Sequence, residues 1–532
     1  YIIKPPRLKG EQTAEAMIIL VSVLLHPLTH LFKIASGIAL DHPPEGLGSV
    51  LPPVSSALSN VFDNLSPNAI EAASAAFFWA HWLVILFVLV YIGYSRYLHM
   101  LVSFFNIFFR SPLPAGALRS IDLETAASFG AAKISDLTWK QVLDLYSCVV
   151  CGQCQDSCPA TISGKALNPK QLILDLKTDL LQTAPKIISD KENASPKLLA
   201  GKVIASDDIW ACTTCRACDE VCPLYVEHVD KIVDLRRNLV MEQALIPESA
   251  EQALRSIEAR GHPWRGATAS RTDWADDLDI KIANKDNKYE ILLWVGCAGA
   301  LEERSMRATR ALARLLKHVC VDFAILGSEE SCCGDPARRL GNEYLFQMQA
   351  EQNIGKLNDY GVSRIVSACP HCYNTIKNEY PAFGGHFEVI HHSQLIAELI
   401  QKGRLAFKNN KGHAITYHDP CYLGRYNGIF KQPRNILKNL PGARLAEMRK
   451  KGSNSFCCGG GGGRMWLEEN SSRRINEMRI EQALETKAAT LVSACPLCLQ
   501  MFEDAVKAKD CQSLLRIMDI AELVAEAAGL ED

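Results

Sequence analysis

The chain of 532 residues has almost no charge imbalance, since 57 basic residues stand against 59 acidic ones and the formal net charge is −2. No stripe of basic residues interleaved with aromatic ones is present, so we do not expect nucleic acid as a partner. No G-x-G-x-x-G opens a strand-helix unit, which argues against a bound flavin or nicotinamide, and the run CCGGGGGRMW lacks the Lys-Ser/Thr ending of a phosphate-binding loop. The informative feature is instead an excess of cysteine.

The 20 cysteines are far more than core packing uses. A secreted disulfide scaffold is short, whereas this chain is long and its thiols occur in C-x-x-C runs, which suit metals better than bridges. We therefore expect a reducing compartment.

The first part of the chain contains two apolar stretches and no Lys or Arg from residue 34 to residue 95. Ala72 to Ser95 holds 24 residues without a formal charge, enough to cross a hydrocarbon core of about 30 Å as a helix. The stretch from Ala16 to Leu40 is a weaker candidate because it contains Pro27 and Lys33. Two membrane spans are predicted.

Basic residues flank this predicted hairpin on both sides: Lys4, Arg7 and Lys9 precede it, and Arg96, Arg110 and Arg119 follow it. By the positive-inside rule, both ends lie in the cytoplasm. We therefore expect a multi-pass protein of the cytoplasmic membrane, in contact with lipid, whose residues after 110 face the cytoplasm, where thiols stay reduced.

His81 and His99 are separated by 18 positions, which are five complete turns of a helix, so one continuous helix would place both imidazoles on one face about 27 Å apart. Imidazole is a common axial ligand of haem iron. The alternative is a pair of interfacial histidines that extend towards water. The opposite ligands would come from His26 and His30 or from helices that precede Tyr1.

Two cysteine runs follow, each with the spacing C-x2-C-x2-C-x3-C-P: Cys148, Cys151, Cys154 and Cys158, then Cys212, Cys215, Cys218 and Cys222. Three thiolates at this spacing surround one cubane, and the fourth reaches the other cubane. The spacing predicts one 4Fe-4S cluster on Cys148, Cys151, Cys154 and Cys222, and a second on Cys212, Cys215, Cys218 and Cys158. Structural zinc is the alternative, but zinc sites normally use two pairs of ligands.

The segment between the two runs, NPKQLILDLKTDLL, has the pattern of a helix. Asn168 is the predicted N-cap and Pro169 the first helical residue, while Leu172, Ile173 and Leu176 form an apolar face. The pattern indicates a small helical ferredoxin domain.

The C-terminal half repeats one pattern of alternating strands and helices. EILLWVGC and VDFAILG read as strands, RATRALARLLKHV as a helix, and VSRIVSACPHC as a strand that ends at two cysteines. Five cysteines recur in each copy: Cys297, Cys332, Cys333, Cys369 and Cys372, then Cys421, Cys457, Cys458, Cys495 and Cys498. The internal repeat predicts two related α/β domains.

Five thiols at strand ends are one more than a cubane needs, which suggests a distorted cluster or a shared thiolate. Structural zinc in one or both copies is the alternative. We interpret the glycines after Cys458 as room for a cluster. Cys320 and Cys511 fit no pattern and are predicted to be buried packing residues.

The predicted fold is multidomain, with transmembrane α-helices, then an α-helical ferredoxin-like domain with two 4Fe-4S clusters, then duplicated α/β domains. The predicted domains are residues 1–110, the membrane anchor and C-terminal part of a haem b domain; 111–260, the helical ferredoxin domain; 261–289, a linker; 290–411, the first repeat; and 412–532, the second repeat.

The paired C-x34–35-CCG-x34–35-C-P-x-C units resemble the CCG-domain family, typified by the catalytic subunits of heterodisulfide reductases. In that family the five cysteines hold a non-cubane 4Fe-4S cluster, so the resemblance implies one or two such clusters here. The membrane part resembles di-haem subunits whose last span carries two histidines at the spacing of His81 and His99. The resemblance implies haem b, two in number, although such a module has about five spans and only two are seen here. The remaining haem ligands would then come from residues before Tyr1 or from a partner subunit.

The combination of all three modules is most similar to the membrane-bound electron-transfer-flavoprotein:menaquinone oxidoreductases. This resemblance implies an oxidoreductase that passes electrons from reduced electron-transfer flavoprotein through iron–sulfur clusters and haem b to menaquinone. It assigns no catalytic residue. The alternatives are a quinol-dependent reductase of heterodisulfides or sulfur substrates, and an electron-wiring subunit without a substrate of its own.

Overall fold

The computed structural model describes residues 13–40, 53–95, 97–190, 195–264, 270–408, 414–469 and 473–530. The chain divides into two compact units, Tyr1–Phe108 with Tyr146–Cys151, and Phe109–Leu145 with Gly152–Asp532. Four of the basic residues on which the predicted membrane orientation depends lie outside the described residues: Lys4, Arg7, Lys9 and Arg96.

The first unit contains the helices α1 (Thr13–Ala39), α2 (Pro53–Ser59), α3 (Pro67–Tyr94) and α4 (Leu98–Phe108). α1 packs along α3. A small apolar core forms around Ala35, Phe62 and Ile70. Ser66 caps α3, since its hydroxyl accepts a hydrogen bond from the Ala69 amide, and Pro67 is the first helical residue.

Two helices of this unit, Met17–Ala39 and Pro67–Tyr94, are long and apolar enough to cross a membrane, judged by length and composition. Large apolar side chains on them are exposed, such as 64% of Leu83 and 65% of Val90. A continuous exposed apolar surface is unfavourable in water and suits hydrocarbon, where a helix satisfies its own backbone groups. This supports membrane association of the first unit.

The apolar helix ends earlier than the sequence predicts. α3 ends at Tyr94, and Ser95 takes an extended conformation with φ −110° and ψ 173°. The Ser95 hydroxyl accepts a hydrogen bond from the Tyr97 amide at 3.2 Å, next to the start of α4. His81 therefore lies on α3 and His99 on α4, and the prediction that one continuous helix carries both imidazoles is wrong.

The cysteine runs lie among short helices: α5 (Trp139–Ser147), α6 (Gln153–Ser157), α7 (Pro159–Ile162), α8 (Pro169–Ser189), α9 (Ser206–Ala211), α10 (Ala217–Glu220), α11 (His228–Met241) and α12 (Glu248–Arg260). The predicted start of α8 is confirmed, because the Asn168 side chain accepts hydrogen bonds from the amides of Lys170 and Gln171 and Pro169 is the first residue. The predicted apolar face is also confirmed by the burial of Leu172, Ile173 and Leu176.

The first repeat forms a five-stranded parallel sheet of β1 (Lys281–Ile282), β2 (Ile291–Trp294), β3 (Phe323–Ile325), β4 (Arg364–Ser367) and β5 (Glu388–His391), in the order β1-β3-β2-β4-β5. Its helices are α13 (Gly296–Leu301), α14 (Glu303–His318), α15 (Asp335–Leu340), α16 (Glu343–Asp359), α17 (Pro370–Asn374) and α18 (His392–Gln401). The edge strand β1 comes from the segment 261–289, which the sequence pattern predicts as a linker.

The second repeat forms a four-stranded parallel sheet of β6 (Ala414–Tyr417), β7 (Arg444–Leu445), β8 (Thr490–Ser493) and β9 (Arg516–Asp519), in the order β7-β6-β8-β9. Its helices are α19 (Lys431–Asn439), α20 (Ile475–Leu484), α21 (Pro496–Ala508) and α22 (Ile520–Ala528). In both sheets the strand that precedes the first cysteine, β2 or β6, lies between the next two strands of the chain, and the last strand, β5 or β9, is at an edge. The predicted duplication of an α/β unit is confirmed.

Candidate metal centres

The five cysteines of the first repeat meet at the carboxyl ends of two neighbouring strands. Cys297 follows β2 and Cys369 follows β4. Cys332 and Cys333 precede α15, and Cys372 lies in α17. All five line one cavity. Open α/β sheets usually build their sites at such strand ends, where the connections diverge to opposite faces.

Two glycines beside these thiols permit a close approach of the backbone, to a sulfur at Gly296 and to an aromatic ring at Gly334. At Gly296 φ is +76°, and a Cβ atom would lie 3.3 Å from the Cys372 sulfur. At Gly334, directly after the cysteine pair, φ is +89°, and a Cβ atom would lie 2.7 Å from a ring carbon of Phe346. Both positions use the left-handed region that glycine adopts without steric cost.

A buried arginine that belongs to none of the cysteine motifs contacts a thiol of the first repeat. Arg271 Nη2 donates to the Cys297 sulfur at 3.1 Å, and Arg271 Nη1 pairs with Glu330 at 3.2 Å. The carboxylate of Glu330 also accepts from the amides of Val295 and Gly296, at 2.9 and 2.7 Å. Burial raises the pKa of Glu330 although Arg271 and these amides favour the charged form. This network fixes the turn that carries Cys297.

Two tryptophans line the first-repeat cavity on one side. The rings of Trp264 and Trp466 meet edge to face, with their centroids 4.9 Å apart. Both side chains are partly exposed, and both line the cavity together with Pro263 and Met465. The cavity therefore reaches the surface at an apolar aromatic pair.

An aromatic column connects the two repeats. The ring of His371, which lies in the C-P-H-C run, stacks on Tyr422 with a centroid distance of 3.8 Å, and Tyr422 stacks on Tyr426 at 4.2 Å. His371 Nδ1 lies 2.8 Å from the Asp335 carboxylate. Burial alone lowers the pKa of His371, but the Asp335 carboxylate outweighs it and raises that pKa to about 9. The side chain next to Cys421 thus contacts the first-repeat site.

The cysteines of the second repeat occupy the corresponding positions, with Cys421 after β6 and Cys495 after β8. Each of the five is at most 6% exposed. The Cys457 thiol contacts those of Cys421 and Cys458, and the Cys498 thiol contacts those of Cys458 and Cys495. These five thiols therefore form one continuous group.

A histidine that the sequence patterns did not single out belongs to this group. A ring nitrogen of His418 and the sulfurs of Cys458 and Cys498 lie within 4.8 Å of one another. His418 precedes Cys421 by three residues, and the first repeat has Trp294 at the corresponding position.

The four cysteines predicted for the second cubane also line one cavity: Cys158, Cys212, Cys215 and Cys218. Burial raises the pKa of Cys158 to about 11 and that of Cys212 to about 12. Thiols buried in this way stay protonated unless a metal ion stabilises the thiolate, so we do not expect free thiolate chemistry in this cavity.

The second cysteine run lies directly against the second repeat. The thiols of Cys215 and Cys457 are in contact and share one apolar core with Cys421. Arg425 Nε donates to the backbone oxygen of Cys215 at 2.6 Å, and Arg425 Nη1 donates to the backbone oxygen of Ser455 at 2.7 Å. Two predicted cluster sites therefore share a wall.

A second buried arginine joins three parts of the chain. Arg236 donates to the backbone oxygens of Ile209 and Cys212 in the helical part, at 2.9 and 2.7 Å. It also donates to the backbone oxygens of Arg339 in the first repeat and Gly462 in the second, both at 2.8 Å. Burial lowers the pKa of Arg236 to about 10, which leaves the guanidinium charged.

The glycine run has two roles in the structure. Gly460, Gly462 and Gly463 line the cavity of the first repeat, although they follow Cys458 of the second, and the interpretation that they leave room for a cluster stays a prediction. Gly462, at φ +64°, also lies against the second cysteine run, because a Cβ atom would come within 2.8 Å of Thr213. The glycines therefore also admit the backbone of a neighbouring loop.

The four cysteines predicted for the first cubane are divided between the two compact units, with Cys148 and Cys151 in the first and Cys154 and Cys222 in the second. Their grouping on one cubane stays a prediction. Within the second unit, α6, which carries Cys154, packs against α10, which carries Cys218.

The sets of thiol ligands in the second unit fit iron–sulfur clusters. Four or five thiols converge in each of the three groups within the second unit, and soft thiolate ligands select iron–sulfur clusters, zinc or copper(I). The first-repeat and second-run groups each line a cavity rather than closing on one ion, as a multi-atom cluster requires. These residues would hold the clusters, and zinc in a repeat stays the alternative.

The tautomer of His81 leaves one ring nitrogen able to bind a metal. Its Nδ1 lies 3.1 Å from the Thr29 hydroxyl, which donates to the backbone oxygen of Leu25. His81 Nδ1 must then be the donor, so Nε2 keeps a lone pair for metal. His26 and His30 do not fit as opposite ligands in this arrangement, because their ring centroids lie 4.7 and 5.2 Å from that of His81, which leaves no space for a macrocycle.

The two cysteines outside the patterns differ from each other. Cys511 is buried, as predicted, and lies in the core of the second repeat. Cys320 is exposed, so the prediction that it is a packing residue is wrong. It takes φ +53° in the turn after α14, where the chain leaves the helix at the surface.

Comparison with known proteins agrees with this geometry. The family described as "Cysteine-rich domain" matches residues 291–377 and 415–503, and the family described as "4Fe-4S dicluster domain" matches residues 144–226.

Relatives are found over nearly the whole chain. The "Probable iron-sulfur-binding oxidoreductase FadF" of Bacillus subtilis is 39% identical over 99% of this chain and 80% of its own length. The "EtfAB:quinone oxidoreductase" of Syntrophomonas wolfei is 37% identical over 99% of this chain and 79% of its own length. One subunit of the "Dihydromethanophenazine:CoB--CoM heterodisulfide reductase" of Methanosarcina barkeri is 33% identical over 74% of this chain and 97% of its own length. The chain thus belongs to the family of iron–sulfur quinone oxidoreductases that includes the EtfAB:quinone oxidoreductase.

Proposed function

We propose that this chain passes electrons from reduced electron-transfer flavoprotein, through iron–sulfur clusters and haem b, to menaquinone in the cytoplasmic membrane. The observation that carries the proposal is that the thiol groups of the second unit lie next to one another in a continuous series. The first-repeat cavity reaches the surface, the aromatic column joins it to the second repeat, and Cys457 of the second repeat contacts Cys215 of the second run. The relative from S. wolfei supports the choice of donor and of a quinone as acceptor.

The donor would dock where the cavity of the first repeat reaches the surface. Trp264 and Trp466 offer a partly exposed apolar pair beside the thiols of that repeat. When bound, the clusters supply one-electron carriers whose potentials depend on ligation, burial and hydrogen bonds. The chain contributes the spacing, the exclusion of water and the charged groups around the thiols.

The arginines fit this role. Reduction adds negative charge at each site, and Arg271, Arg425 and Arg236 place buried positive charge beside the first repeat, the second repeat and the second run. A buried cation favours the reduced state of a neighbouring site.

In the membrane part, we propose His81 and His99 as haem b ligands, two haems in all, with opposite ligands outside the described residues. The multi-pass topology, with the iron–sulfur domains on the cytoplasmic side, belongs to the same proposal. The lone pair left on His81 Nε2 supports the first of these assignments.

A second candidate function keeps the cofactors and reverses the direction of flow, so that quinol drives reduction of a heterodisulfide or another sulfur substrate. The similarity to the heterodisulfide reductase of M. barkeri, which extends over 74% of this chain, favours this candidate. A third candidate is a wiring subunit whose catalysis resides in partner proteins.

The test uses membranes that contain the full-length protein. We expect reduced electron-transfer flavoprotein to reduce the haem rapidly and a menaquinone analogue to reoxidise it. The Cys457→Ser variant should abolish this reduction, whereas Cys320→Ser, which changes an exposed thiol outside the groups, should retain it. Haem that responds only to quinol would contradict the proposed donor and direction, and a thiol substrate that binds the oxidised protein would favour sulfur reduction.

A further inference from the structure

The side chain of His418 has one ring nitrogen without a partner, although it is only 1% exposed. Its Nδ1 lies 3.1 Å from Arg479 Nε, while Nε2 is buried without a hydrogen-bond partner among the described residues. Buried polar groups in folded proteins are nearly always hydrogen-bonded, so this nitrogen requires an explanation.

The tautomer of His418 follows from its arginine neighbour. Arg479 Nε can only donate, so His418 Nδ1 must accept and carries no proton. A neutral imidazole then has its proton on Nε2, which becomes a donor without an acceptor. Phe502 fixes the ring from one side, edge to face with a centroid distance of 4.8 Å.

The neighbouring acceptors are sulfur atoms. A ring nitrogen of His418 and the sulfurs of Cys458 and Cys498 lie within 4.8 Å of one another, and Nδ1 is already engaged. A thiolate or a cluster sulfide at this place is an anionic acceptor. Hydrogen bonds to the sulfurs of a cluster withdraw charge and raise its reduction potential.

We propose that His418 Nε2–H donates a hydrogen bond to a sulfur of the second-repeat cluster and raises the potential of that cluster. His418 is a positioning residue, not a ligand, and Arg479 selects its tautomer. The inference rests on the proposed iron–sulfur cluster at the second repeat. The first repeat has Trp294 at the corresponding position, so the chain uses different side chains behind two equivalent thiol sets.

The thiols of the two repeats do not have the same surroundings. Arg271 donates to the Cys297 sulfur in the first repeat, whereas His418 lies against the sulfurs of Cys458 and Cys498 in the second. Each site therefore has its own hydrogen-bond donor.

The experiment is a redox titration of the full-length chain, purified anaerobically and followed by electron paramagnetic resonance. The second-repeat signal is assigned as the one lost in Cys458→Ala. We expect His418→Phe to lower its potential so that the equilibrium constant for reduction falls about tenfold, which is about 59 mV for a one-electron couple. His418→Gln, which keeps an N–H donor, should restore most of this shift, and His386→Phe, the same change at an exposed histidine, should have no effect.

The outcomes separate the two claims. If the wild-type protein has no signal that depends on Cys458, the cluster assignment fails and the inference fails with it. If the signal is present and His418→Phe leaves its potential unchanged, only the inference is overturned. If His418→Phe loses the cluster, His418→Gln decides: recovery of iron content and potential supports the donor, whereas a Gln variant that behaves like Phe overturns it.

Discussion

Arg236 offers the most direct test of how the second unit is held together. It is fully buried and donates to backbone oxygens in the helical part, in the first repeat and in the glycine run of the second repeat. Five hydrogen bonds are formed by its three nitrogens. At about 1 kcal/mol for each bond, Arg236→Met should lower the free energy of unfolding by about 5 kcal/mol, because carbonyl groups stay buried without donors.

This loss is a large part of the stability of an ordinary domain, about 5–15 kcal/mol. The assay is urea unfolding of the anaerobically purified chain, followed by visible iron–sulfur absorbance and by circular dichroism. Arg236→Lys keeps the charge but lacks the planar fork, so it should fall between wild type and Arg236→Met. Arg255→Met removes an exposed ion pair with Glu251 and should change the free energy of unfolding by less than about 0.5 kcal/mol.

The same urea midpoint for Arg236→Met and the wild type would refute the reasoning. It would show that water or neighbouring groups satisfy the carbonyls once the guanidinium is gone. If Arg236→Met cannot be isolated, the midpoint of Arg236→Lys decides, since the loss of the planar fork alone must lower it.

Three further changes have defined outcomes. Gly462→Ala should reduce the iron content, because a Cβ atom would lie 2.8 Å from Thr213. The control is Gly361→Ala, which is also at positive φ but has no atom within 4 Å. It should lower the free energy of unfolding, measured by thermal unfolding, by only about 1 kcal/mol. Cys320→Ser should leave the iron content unchanged, since Cys320 is exposed, and a loss of iron would contradict our assignment of the ligands. Burial raises the pKa of Asp230 to about 7. Ionisation of this carboxyl therefore opposes folding as the pH rises above about 4, the pKa of an exposed Asp. Asp230→Asn should raise the free energy of unfolding by about 2–3 kcal/mol more at pH 8 than at pH 5, and equal effects at both pH values would contradict this.

Features that depend on short spacings could be predicted from the sequence. The cap and first turn of α8 are local, so Asn168 and Pro169 identify them. The strands after which Cys297 and Cys369 emerge are short and fully or largely buried, as in parallel sheets whose two faces are covered. The duplication can be recognised because both repeats have their cysteines at nearly the same intervals, directly after corresponding strands.

Features that depend on contacts between distant parts of the chain could not be predicted. Arg271 reaches Cys297 from a segment that reads as a linker, and Arg236 meets Gly462 across 226 positions. No spacing rule connects such pairs, because tertiary packing alone brings them together. The separation of His81 from His99 escapes prediction for another reason: their spacing fits one long helix, whereas the extended backbone at Ser95 ends α3 before His99.

The shared wall between Cys215 and Cys457 has a consequence for how the protein matures. Both thiols lie in one apolar core that is closed by Arg425. A cluster that enters either site after this core has formed would have to separate the helical part from the second repeat. We therefore expect metal loading at these two sites to come before or together with the closure of the core, whereas the first-repeat cavity, with the partly exposed Trp264 in its wall, would stay open to loading afterwards.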